Sequence, residues 1–69
     1  MEPYFIVDIV RQIMNHERFP HLDSVTQIRI DTIDGYIMRA SNASIKRDDR
    51  AYLREVWRYL YTGGPFPEG

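Results

Sequence analysis

From Pro3 to about Glu17, apolar side chains recur every three or four residues. Ile6, Val10 and Ile13 line one side, Val7, Ile9 and Met14 flank it, and Tyr4, Asp8, Arg11 and Asn15 stand opposite. That period near 3.6 predicts an amphipathic helix, with Pro3 suited to its first turn because the proline has no N–H left unpaired there. Phe19-Pro20 predicts its end, since the residue before a proline is pushed out of helical geometry. Residues 21–24 read as a connector.

The pattern then changes. Between residues 25 and 42, β-branched and aromatic side chains alternate with polar ones around Asp34-Gly35, which predicts a β-hairpin. A two-residue Asp34-Gly35 turn would set Ile30 beside Arg39 and mix the faces. A three-residue loop of Ile33, Asp34 and Gly35, with Gly35 left-handed, separates them instead. Thr26, Ile28, Ile30, Thr32, Tyr36, Met38 and Ala40 then share one face, and Gln27, Arg29, Asp31, Ile37, Arg39 and Ser41 share the other.

A last helix is expected to begin at Asp48 or Asp49, both suited to capping, or one turn earlier at Ser44. Its apolar side is Tyr52, Leu53, Val56 and Leu60, with Trp57 at the edge. Gly63 fits a left-handed C-cap, and Pro65 and Pro67 bar continuation. The expected fold class is therefore α+β, a single domain of order α-β-β-α over residues 1–62, with two helices packed on one face of an antiparallel β-hairpin. Residues 63–69 form an extended or disordered tail in this reading, where Phe66 is either an anchor on the domain or a short recognition motif. Both strands would be edges, open to water, to a second copy in a homodimer, or to a partner that adds a strand.

Composition narrows the chemistry. Sixty-nine residues without cysteine exclude disulfides and thiolate metal sites, and a chain this short buries only about 60% of its unfolded surface. No apolar run approaches the ~20 residues that span a bilayer, and the N-terminus lacks the flanks of a signal peptide, so a cytoplasmic location is expected. The formal net charge of -1 is unevenly spread, with three basic and six acidic side chains over residues 1–38 and six basic and four acidic over residues 39–69. Eight of the nine basic residues are arginine, the side chain suited to planar, bidentate recognition of phosphate or carboxylate.

Catalytic constellations are not expected, and neither is a cofactor or a metal. His16 and His21 are the only histidines and sit at a helix end and connector; Asp48-Asp49 points in two directions on a helix and predicts capping; Asp31 and Asp34 suit turn geometry; Gly63-Gly64 follows a helix, unlike a phosphate loop. The arginines carry more. Arg47, Arg50, Arg54 and Arg58 fall on one face of the last helix, opposite its apolar side, and Tyr61 extends the row. Only Arg58 has an acidic neighbour at helical spacing, Glu55. Arg29 and Arg39 would lie opposite each other on the polar face of the hairpin, a second basic site unless Asp31 intervenes. Tyr52 and Tyr59, at the margins of the apolar face, suit an interface.

These features predict a non-enzymatic protein that binds a macromolecular partner through the arginine face. A phage or mobile-element inhibitor acting on a host defence or nucleic-acid-handling complex would have this size and surface. Direct nucleic-acid binding through the same arginines is the alternative, against which a sequence pI of ≈ 6.0 weighs.

Overall fold

The computed structural model describes residues 1–39 and 45–67, and every element within them is helical. Helix α1 spans Ile6–Asn15, a 3-10 turn spans Phe19–His21, α2 spans Ser24–Arg39 and α3 spans Arg47–Thr62. The α+β expectation is thereby overturned: residues 24–39 form a helix where a hairpin was expected, and no strand occurs among the described residues. The expected strand end at Ala40 and Ser41 and the alternative helix start at Ser44 lie outside them.

Two local facts explain α2. Asp23 caps its first turn, its Oδ2 accepting from the Thr26 N–H at 3.3 Å and its Oδ1 from the Thr26 hydroxyl at 2.5 Å, while its carbonyl takes the Gln27 N–H at 3.0 Å. Thr26, Ile30, Ile33 and Ile37 then follow one another at steps of four, three and four, which puts them on a single helix face. Thr26, Ile30 and Ile33 are buried and Ile37 packs against the same cluster. Burial of that face outweighs the β-propensity of the individual residues, whose spread is only about 1 kcal/mol. Gly35 is helical, not left-handed; among the described residues the one positive φ belongs to Gly63.

The core joins α1 and α3 most extensively, and α2 covers one side. Ile9, Val10 and Ile13 meet Tyr52, Leu53, Val56, Trp57 and Leu60, with Ile30 and Ile33 supplied by α2. Trp57 is buried and donates its indole N–H to Gln12 Oε1 at 2.7 Å, so its polar atom is satisfied at the α1–α3 seam. The C-terminus of α3 closes as expected on Gly63, at φ 74°, whose N–H returns to the Arg58 carbonyl. Arg18 adds a second closure, its guanidinium donating to the Leu60 carbonyl at 2.7 Å. Phe66 sets its ring edge-on to Tyr59 at 5.1 Å, an anchor that holds residues 63–67 against the domain. No helix among the described residues is long and apolar enough to cross a membrane.

Candidate functional site

The arginine row of α3 does not stand free in solvent. Residues 2–4 run alongside it: Arg54 donates to Glu2 Oε2 at 2.9 Å and to the carbonyls of Pro3 and Tyr4 at 3.3 and 2.9 Å. Arg58 grips the same carboxylate from its own side, Nε to Oε1 at 2.8 Å and Nη2 to Oε2 at 3.4 Å. Sequence spacing pointed Arg58 at Glu55, within its helix, but its ion partner is Glu2, fifty-six residues away in the chain. The Arg58 and Arg54 guanidinium groups hold the Glu2 carboxyl below its ordinary value. Arg50 reaches back to the Ile45 carbonyl at 2.7 Å, and Arg47 is exposed. Tyr61 turns inward, its hydroxyl donating to the Gln12 carbonyl at 2.9 Å and its ring stacking on Trp57 at 4.9 Å.

Arg29 and Arg39 are separated as well. Ten residues apart on one helix they stand about 15 Å apart along its axis, so they cannot face each other as hairpin partners. Arg29 bridges to Asp49 at 3.2 Å and lies 3.7 Å over the Tyr52 ring, tying α2 to the start of α3. Arg39 lies 5.3 Å over Tyr36. Without a hairpin, the expected dimer through strand edges has no basis. His16 accepts from the Arg18 N–H through Nδ1 at 3.0 Å and meets Tyr61 edge-on; no group of three His, Asp or Glu side chains suited to a metal ion gathers among the described residues.

What the sequence reading missed is the outer face of α2. Val25, Ile28, Thr32 and Tyr36, at steps of three, four and four, form a stripe facing away from the core; Val25 is 74%, Ile28 65% and Tyr36 54% exposed. Met38, at 72%, lies to one side. Beside Ile28 opens a shallow recess of ≈ 290 Å³ lined by Phe19, Gln27, Ile28 and Asp31. Its side wall is pinned, since Gln27 Nε2 donates to the carbonyls of Leu22 and Pro20 at 2.6 and 3.2 Å. The helical spacing of that stripe is present in the sequence, where the Asp34-Gly35 turn signal and the period-2 alternation mask it. A helix apolar on both faces has one face for its own core and another that water meets.

Searches for a matching family model, a related curated protein and a similar solved structure found none.

Proposed function

We propose that this chain is a non-enzymatic docking protein of the cytoplasm that binds a partner protein through the outer face of α2. The observation that carries the reading is the run Val25, Ile28, Thr32 and Tyr36, exposed on a side of α2 turned away from its core residues Thr26, Ile30 and Ile33. Helical anchors at this spacing are what a groove or a second helix on a partner receives, and a branched aliphatic beside an aromatic suits the centre of an interface. The recess next to Ile28 gives a partner side chain a place to enter. An inhibitor or accessory protein of a phage or mobile element acts by occupying such a surface on a host complex, and needs no chemistry of its own to do so. Nucleic-acid binding is less favoured, because Arg54 and Arg58 already hold a carboxylate.

The test is affinity capture from a lysate of the encoding cells with the wild-type chain and with the Ile28→Asp/Tyr36→Ser variant, each checked by circular dichroism. Capture of a discrete partner by wild type, with affinity at least tenfold weaker for the variant, is expected. Equal capture by both, or a partner lost only on charge reversal of Arg50, would overturn the assignment to α2.

A further inference from the structure

We propose that Arg54 and Arg58 form a binding groove for a non-helical acidic peptide of a partner protein, and that residues 2–4 of this chain sit in it as an intramolecular ligand. The contacts at the groove are those of peptide recognition. One carboxylate is shared between two guanidinium groups, in side-on bidentate fashion by Arg58, and the next two backbone carbonyls, of Pro3 and Tyr4, are both read by Arg54. A phosphate chain offers no such succession of a planar carboxylate and consecutive amide carbonyls. An acidic side chain followed by ordinary backbone offers all three acceptors.

The occupant is held in a way that permits exchange. Its side chains give it little apolar anchorage, for Tyr4 is 83% exposed and Phe5, just after it, 62%. The ion pairs that secure it keep partial access to water, with side-chain exposure of 53% at Arg58, 31% at Arg54 and 24% at Glu2, and pairs screened by solvent contribute less net stability than dry ones. Arg50, one turn before Arg54 on the same helix face, donates among the described residues to the Ile45 carbonyl, a neutral acceptor, so a longer acidic ligand meets a third guanidinium there. Glu2 competes at the high effective concentration of a tethered group, so the groove takes an external peptide only when that peptide outbids it or when the segment is drawn away. This groove is separate from the outer face of α2, and the two assignments stand or fall independently.

The probe is a fluorescently labelled synthetic peptide with the sequence of residues 1–7, titrated into the full chain by anisotropy. Wild type, Glu2→Ala, Glu2→Gln and Glu2→Ala/Arg58→Gln are compared after circular dichroism and light scattering. Apparent affinity about tenfold tighter for Glu2→Ala and Glu2→Gln than for wild type, and lost in the Arg58→Gln double variant, is the result expected. Equal affinity for wild type and the Glu2 variants, or binding that survives Arg58→Gln, would overturn the proposal. So would displacement of the peptide by millimolar inorganic phosphate but not by chloride, which marks a general oxyanion site, or dimers of the wild-type chain that place a second copy's segment in the groove.

Discussion

Asp23 illustrates how much one side chain decides. Its carboxylate satisfies two donors of Thr26, the only buried polar residue among those described, and starts α2 at the place where a connector was expected. Replacing it with alanine is expected to lower Tm, measured by thermal circular dichroism, because the Thr26 N–H and hydroxyl lose their acceptor. Its pKa is lowered, first by the hydrogen bond from the Thr26 hydroxyl, and that of Glu2 is lowered, first by Arg58. For a carboxyl with a folded value below its unfolded one, the stability it contributes is complete above the unfolded value and disappears as pH falls through the folded one. Urea midpoints are therefore expected to hold steady at neutral pH and drop through the acidic carboxylate range, and Asp23→Asn is expected to flatten part of that drop. Gly63 is the other decisive residue. A Cβ there meets nothing within 4 Å, so Gly63→Ala is expected to lose about 1 kcal/mol through its φ of 74° alone, read by chemical denaturation.

At the scale of the element, α2 carries the sharpest test, because helix and hairpin make opposite demands on Gly35. In the left-handed position of a hairpin loop, alanine would be strained. In the helix, where an added Cβ would meet Arg39 Nη2 at an ordinary 3.8 Å, Gly35→Ala is expected to stabilise by about 0.5–1 kcal/mol. A rise in urea midpoint supports the helix, and a fall the hairpin. The two amphipathic helices were legible from period alone: the apolar sides read for residues 3–17 and 48–62 contain the buried Ile9, Val10 and Ile13 of α1 and the buried Tyr52, Leu53, Val56 and Leu60 of α3. Residues 24–39 were not, since Thr26, Ile28, Ile30 and Thr32 alternate like a strand while Thr26, Ile30, Ile33 and Ile37 repeat like a helix. Both periods are present in the same letters. The arginine row of α3 was legible as a face but not as a contact, for its partner Glu2 lies fifty-two residues from Arg54 and fifty-six from Arg58.

For the whole molecule, the α1–α3 seam is the common support of both proposed surfaces. It sets the N-terminal segment against Arg54 and Arg58, and it gives α2 a floor. Leu53 is fully buried at the seam, and Leu53→Ala is expected to cost about 2–5 kcal/mol, a large share of what a chain this short can hold. Loss of the cooperative thermal transition would confirm it. Because α2 contributes few fully buried side chains, its amides are expected to exchange with deuterium faster than those of α1 and α3, an ordering that peptide-level mass spectrometry reads directly. From sequence by itself came the amphipathic helices, their core-facing residues, the left-handed cap at Gly63 and the arginine face, all of which follow from interactions within a few residues of the chain. Tertiary structure decided the rest: that 24–39 is a helix, that its second apolar face is left over, and that Glu2 fills the arginines. Each of those depends on which surfaces meet across long stretches of chain, where burial of a face outweighs a propensity difference of about 1 kcal/mol.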